Sequence, residues 1–72
     1  MSWQALRLLN AMRQCTEGMT EVDINGKRWA TICTANIVLD GITPAQKPGY
    51  LSALEKLGFY RKVDKYFGMV RL

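Results

Sequence analysis

The chain has 72 residues, which is enough for one domain with a small core and too few for two. Apolar residues make up 49% of it and charged residues 22%, and this mixture excludes an intrinsically disordered chain. Ten basic residues oppose six acidic ones, so the net charge of +4 favours an anionic partner over a cationic one.

The excess positive charge is confined to one part of the chain. Residues 1–40 contain four basic and four acidic side chains, whereas residues 41–72 contain six basic and two acidic ones. A basic surface on one side of a small protein is typical of nucleic-acid binding. Many small proteins are basic without having such a partner, so the charge alone does not establish this function.

The sequence shows no signal for export or membrane insertion. Residues 1–4 lack the charged region and the apolar region of a signal peptide, and no apolar run approaches the roughly 20 residues that span a bilayer. Cys15 and Cys33 are too few for a disulfide scaffold, and the absence of His argues against zinc. We expect a cytoplasmic protein with two reduced, buried thiols and no membrane partner.

An amphipathic helix is predicted over about residues 2–15. Apolar residues recur at three- and four-residue steps from Ala5 to Cys15, so they share one helix face. Ser2 is a favourable N-cap for this helix, and Gly18 lies in the break that follows it.

A β-hairpin is predicted next, because Asn25-Gly26 is a strong signal for a two-residue turn. Closing the hairpin at this turn pairs Val22 with Trp29 and Asp23 with Arg28, and both pairs are favourable. The second strand extends from residue 27 to about residue 32. A rival interpretation begins a helix near residue 28, since apolar residues there also recur at helical spacing.

A short helix is predicted over about residues 34–40. Thr34 is a possible N-cap, and Gly41 is the residue type favoured after a helix C-terminus.

A longer helix is predicted over residues 43–57. Thr43 and Gln46 have the spacing of a capping box, and Pro44 suits the first helical position. Pro48 lacks the amide hydrogen that a regular helix needs by its second turn. Either the first turn is distorted, or the regular helix begins at Pro48.

The last segment, residues 59–72, is rich in aromatic and β-branched residues and is interrupted by Asp64-Lys65. This pattern predicts two strands joined by a tight tip. The segment also contains four of the six basic residues in the second part of the chain.

Two motifs in this order of elements carry a family resemblance. Residues 40–46 (DGITPAQ) form a glycine-containing turn that opens a helix, and residues 51–62 (LSALEKLGFYRK) close that helix and lead into a basic hairpin. In both respects the chain resembles the winged helix-turn-helix superfamily of transcriptional regulators. The match covers residues 31–72 well, and the first helix agrees in its position.

The resemblance implies a single α+β domain over residues 1–72, with three helices, a small antiparallel sheet and a C-terminal β-hairpin wing. It also implies a small transcriptional regulator that binds double-stranded DNA, with helix 43–57 in the major groove and hairpin 59–72 as the wing. The implied DNA-contacting residues are Thr43, Gln46, Lys47, Ser52, Lys56, Arg61, Lys62, Lys65 and Tyr66.

Several of these residues also have a purely structural interpretation. Gln46 suits a bidentate contact with adenine and equally suits capping of its own helix. Lys47 and Lys56 suit contacts with guanine or phosphate, or they line a solvated helix face. The basic hairpin residues lie among aromatic residues, which favours contacts with a nucleic-acid backbone.

A second hypothesis is a protein-interaction module on the same scaffold, such as a phage- or plasmid-encoded inhibitor of host machinery. The Pro48-Gly49 pair and Trp3 on the polar side of the first helix favour it. A DNA-binding module this small suggests a homodimer or a second protein partner. The residue types and their spacing indicate no enzyme, and we expect no cofactor, metal or small-molecule ligand.

Overall fold

Two α-helices and four β-strands form the described part of the chain, residues 1–16 and 18–72, in a computed structural model. The four strands make one antiparallel sheet in the order β1-β2-β4-β3. The elements are α1 (Trp3–Gln14), β1 (Glu21–Ile24), β2 (Lys27–Cys33), a 3-10 turn (Thr34–Asn36), α2 (Lys47–Lys56), β3 (Tyr60–Lys62) and β4 (Phe67–Arg71).

The predicted winged helix-turn-helix architecture, with three helices and a C-terminal wing, is wrong. The described residues contain two α-helices, and the second of the three predicted helices is missing. The C-terminal hairpin supplies half of the four-stranded sheet, since β4 pairs with β2 along five residues from Phe67 to Arg71. The chain is therefore an α+β domain with two helices and one sheet.

The predicted helix over residues 34–40 is reduced to the single 3-10 turn at its start. The amide of Ile37 bonds to the carbonyl of Thr34, which is a three-residue spacing. Leu39 then pairs with Ile42 across a tight turn, in which Gly41 takes a positive φ of 85°. The segment is extended after its first turn, so its carbonyls need partners from elsewhere in the chain.

Helix α2 begins four residues later than predicted, at Lys47. The capping box forms as predicted, since the Thr43 amide donates to Gln46 Oε1 (3.0 Å) and the Gln46 amide donates to Thr43 Oγ1 (3.2 Å). Residues 43–46, which the capping box joins, form a turn that leads into the helix. Pro48 falls in the first turn of α2, where a missing amide hydrogen costs no helical bond.

Helix α1 is confirmed, with Ser2 Oγ accepting a hydrogen bond from the Ala5 amide at 3.1 Å. The prediction that Cys15 is buried with the apolar face is wrong, because the helix ends at Gln14 and Cys15 is an exposed C-cap. Cys33 is half-buried, and both thiols are free.

The first hairpin is also confirmed, and the rival helix starting near residue 28 is excluded. Asn25 (φ 52°) and Gly26 (φ 80°) form the turn, and both have the positive φ that this turn type requires. Val22 pairs with Trp29 as predicted. The tight tip of the C-terminal hairpin lies between β3 and β4 as expected.

The register of the sheet assigns each strand residue to one of two faces, because side chains alternate along a strand and paired residues share a face. One face packs against both helices, and we call it the covered face. Leu8, Leu9 and Met12 of α1 and Leu54 of α2 complete the core on this side. On β2, β3 and β4 the covered face carries Ala30, Ile32, Tyr60, Lys62, Gly68 and Val70.

The opposite face carries no helix, and we call it the open face. Its residues stand in rows across the strands, as the pairing shows. The rows are Val22, Trp29 and Arg71; Thr31, Met69 and Arg61; Cys33 and Phe67; and Ile24 and Lys27.

Candidate nucleic-acid interface

The side chains of Thr43 and Gln46 are engaged within their own turn. Each accepts a hydrogen bond from the other's backbone amide through the reciprocal pair described above. Both residues remain exposed, but the oxygen atoms suited to reading a base already have partners. This arrangement corresponds to the capping interpretation of Gln46.

Lys47 points into the protein and holds the extended segment before α2. Its ammonium donates to the carbonyl of Thr34 (2.9 Å) and to the carbonyl of Ile37 (2.6 Å). These are the carbonyls of the segment that did not continue as a helix. Two of its three N–H donors therefore serve backbone carbonyls, and we assign Lys47 a structural role.

Four of the predicted site residues come together in one groove of about 240 Å³ between α2 and the tip of the β3–β4 hairpin. Ser52 lies on the helix side of this groove, and Lys62, Lys65 and Tyr66 lie on the hairpin side. Lys56 is exposed on α2 but does not line the groove. Arg61 lies on the open face of the sheet.

Two carboxylates also line the groove, and both are bonded to backbone amides. Glu55 Oε2 accepts from the Lys62 amide at 3.3 Å. Asp64 Oδ1 accepts from the amides of Phe67 and Tyr66, both at 2.8 Å, and these two bonds hold the pKa of Asp64 below its ordinary value of 3.8. The carboxylates therefore shape the hairpin, while they also interrupt its positive charge.

The groove floor includes the buried Tyr60. Burial raises the pKa of its phenol above the ordinary value of 10.0, so this group stays neutral. The ring lies directly against Gly68, where a side chain would overlap it. A glycine at this position is what allows the tyrosine to fill the end of the core.

The ten cations of the chain divide into two groups. Four of them, Arg7, Arg13, Arg28 and Lys47, donate side-chain hydrogen bonds to carbonyls or to a carboxylate. The other six make no side-chain hydrogen bond or ion pair within residues 1–16 and 18–72. These six, which we call the unbonded cations, are Lys27, Lys56, Arg61, Lys62, Lys65 and Arg71.

The open face holds three unbonded cations, of which the sequence-based prediction named only Arg61. The Arg61 guanidinium lies over the Trp29 ring, 5.8 Å from its centroid. Arg71 lies over the Phe59 ring at 5.9 Å, and Lys27 stands on β2 two residues before Trp29. The predicted register of the first hairpin already paired Trp29 with Val22. That register did not predict that β4 would lie on the other side of β2, or that Arg61 would reach Trp29 across it.

No family model, no curated protein and no solved structure matches the chain. The superfamily resemblance of the sequence motifs therefore has no support from these comparisons. Within the described residues, neither helix has the length and apolar character needed to cross a bilayer. The fold and the candidate site define a small α+β protein with a basic surface at its β3–β4 hairpin.

Proposed function

We propose that the protein binds nucleic acid through the unbonded cations of residues 56–71. The observation that carries this proposal is the division of the cations. Five of the six unbonded cations fall within those sixteen residues, while the four bonded cations all lie at residue 47 or earlier. Cations without internal partners are available for phosphate groups, and they release counterions when they bind.

Two carboxylates, Glu55 and Asp64, lie among these cations and line the groove with Lys62 and Lys65. Glu55 and Asp64 accept hydrogen bonds from backbone amides, so neither forms an ion pair with a neighbouring lysine within the described residues. The lysines beside them are exposed. The mode implied by the family resemblance, with a recognition helix and a wing, does not apply to this architecture.

The test is a fluorescence-anisotropy titration with labelled duplex and single-stranded DNA at low and moderate salt. We expect binding at low salt, and we expect the logarithm of the association constant to fall linearly with the logarithm of the salt concentration. The slope should be about −0.7 to −0.9 for each phosphate contacted. Absence of binding to either probe at low salt would contradict the proposal.

A matched pair of variants locates the interface. Lys62→Gln removes one unbonded cation, and we expect weaker binding and a salt slope smaller by about 1. Arg28→Gln also removes one charge, but it lies beside Glu21, to which it is bonded at 2.8 Å. Equal losses in the two variants would show that net charge alone controls binding.

Recognition of a protein segment is a second candidate function, and the groove favours it. The groove combines the apolar surfaces of Pro48 and Leu51 with two lysines and two carboxylates. Mixed charge around an apolar floor suits a peptide with both charge signs better than a uniform polyanion.

The test for this candidate is selection of peptides from a random displayed library against the intact protein at high salt. Peptides that bind the wild type but not Ser52→Trp, which fills the groove, would support it. Arg28→Gln serves as the control that must retain them. Selected peptides that bind both variants equally would exclude the groove as their site.

A further inference from the structure

We propose that the open face binds single-stranded nucleic acid, with bases stacked on its aromatic rings and phosphates held by its cations. This inference rests on the proposed function and adds the form of the nucleic acid and a base-stacking surface beside the lysines of the groove. The register places its rows on the side of the sheet away from both helices, and the open face meets the groove at Phe67, which stands on this face and also lines the groove.

The first support is the environment of Trp29, which is buried away from the core. Its ring is only 6% exposed, yet it lies outside the core that the helices close. Arg61 starts on β3, and β4 separates that strand from β2. The Arg61 side chain therefore crosses over β4 to place its guanidinium above the indole. A charged side chain therefore lies over this ring.

The second support is the charge of the face. Lys27, Arg61 and Arg71 share it, and none of the carboxylates on the described strands does, since Glu21 and Asp23 alternate onto the opposite side. A face with three cations and no carboxylate on its strands is complementary to a polyanion. The Arg61 guanidinium already lies over Trp29, an aromatic ring of this face.

The third support is the aromatic content that a single strand can use. Phe67 stands on the open face and is 43% exposed, so a base can reach it without rearrangement. When a phosphate binds the Arg61 guanidinium and draws it aside, the Trp29 ring becomes available for a second base. A duplex conceals the flat sides of its bases, whereas a single strand presents them for stacking.

The test uses the fluorescence of Trp29. Trp3→Phe leaves Trp29 as the only tryptophan, and Trp3 is 70% exposed on α1, so this change does not disturb the core. The probes are an oligothymidylate of about 12 nucleotides, within the ~4–16 that a small single-strand-binding domain covers, the same strand hybridised to oligoadenylate, and polyglutamate as a polyanion without bases.

We expect the oligothymidylate to change the Trp29 emission more than the other two probes do at equal charge concentration, because only the single strand adds a stacked base to the displacement of Arg61. We also expect Phe67→Leu to weaken oligothymidylate binding about tenfold, as loss of one stacked base requires. The control Arg28→Gln lies on the covered side of the hairpin, and we expect it to change this affinity less than twofold.

The results that overturn this inference differ from those that overturn the proposed function. Oligothymidylate binding with unchanged Trp29 emission and an unchanged affinity in Phe67→Leu would reject the open face and keep nucleic-acid binding. An equal emission change with polyglutamate would reject nucleic acid as the specific occupant of this face. Failure of both nucleic-acid probes to bind at low salt would reject the proposed function itself.

Discussion

The early and the late parts of the chain use their cations in different ways. Of the five cations up to residue 47, three bond to backbone carbonyls and one bonds to a carboxylate, and Lys27 is the exception. From residue 56 onward, cations lie over aromatic rings or have no side-chain hydrogen bond within the described residues. The sequence shows only that the second part is more basic.

This difference separates charges that stabilise the fold from charges that remain available to a partner. Arg13 shows the first use, since its Nε donates at 2.8 Å to the carbonyl of Arg71 and joins α1 to the end of β4. Lys62 shows the second use, since it lines the groove and its exposed side chain makes no hydrogen bond to the described residues. Counting charges would treat the two residues alike, whereas their contacts predict opposite outcomes on substitution.

The largest expected effect on stability comes from a clash within the β3–β4 hairpin, which carries most of the unbonded cations. In Gly68→Ala, the new methyl group would overlap the buried Tyr60 ring. We expect the free energy of unfolding to fall by about 3 kcal/mol, the upper part of the range for overpacked cores. Urea denaturation followed by circular dichroism measures this change.

Gly58→Ala is the control for this substitution. Its φ of 87° strains any side chain, but nothing lies within 4 Å of the added methyl group. We expect a loss of about 1 kcal/mol there. Equal losses at the two glycines would mean that contact with Tyr60 is not what restricts position 68.

The next prediction compares the effect on stability of removing a bonded cation, Lys47, with that of removing an unbonded one, Lys62. We expect Lys47→Met to lower the free energy of unfolding by about 2 kcal/mol, because it leaves two carbonyls without their charged donor. We expect Lys62→Met to change it by less than about 0.5 kcal/mol, as is usual at exposed sites. Denaturation curves supply the stabilities, and anisotropy titrations supply the affinities.

Nucleic-acid binding should follow the opposite order in this pair. We expect Lys62→Met to weaken binding at low salt, and we expect Lys47→Met to retain nearly the full affinity under conditions where it is folded. A stable Lys47→Met with lost affinity would return this residue to the interface and would remove the distinction between the two groups of cations.

Local signals in the sequence predicted the elements whose bonds are local. Ser2 caps α1 within three residues, and Asn25-Gly26 forms its turn from its own backbone angles. The capping box of Thr43 and Gln46 is equally local. In these cases the partners lie close enough in sequence for the pattern to define the geometry.

The errors arose where distant residues decided the structure. The expected helix over residues 34–40 is replaced by an extended segment whose carbonyls bond to Lys47, thirteen and ten residues later. The approach of Arg61 to Trp29 depends on β4 lying between their strands, and periodicity does not reveal that strand order. Lys62, Lys65 and Tyr66 come together in the groove because they are neighbours on one hairpin, and the sequence did predict that hairpin.

A smaller effect is expected at the turn before α2. Thr43→Ala removes the Oγ1 acceptor for the Gln46 amide, and we expect the free energy of unfolding to fall by about 1 kcal/mol. Because the side chain is engaged within its own turn, we expect nucleic-acid affinity to be unchanged. Thermal denaturation and anisotropy measure the two properties. A loss of affinity without a loss of stability would restore Thr43 as a contact residue.

The smallest effect concerns the tip that supports Lys62 and Lys65. The backbone amides bonded to Asp64 lower the pKa of its carboxyl group. The ionised carboxylate therefore stabilises the folded tip fully at a pH above the ordinary pKa of 3.8. This contribution is lost as the pH falls through the lower pKa of the folded state. We expect the amide NMR signals of Tyr66 and Phe67 to titrate together with a midpoint below 3.8. Asp64→Ala should abolish that titration. A midpoint at or above 3.8 would mean that the carboxylate does not hold the tip, and the lysines beside it would then lack the fixed position that the proposed interface requires.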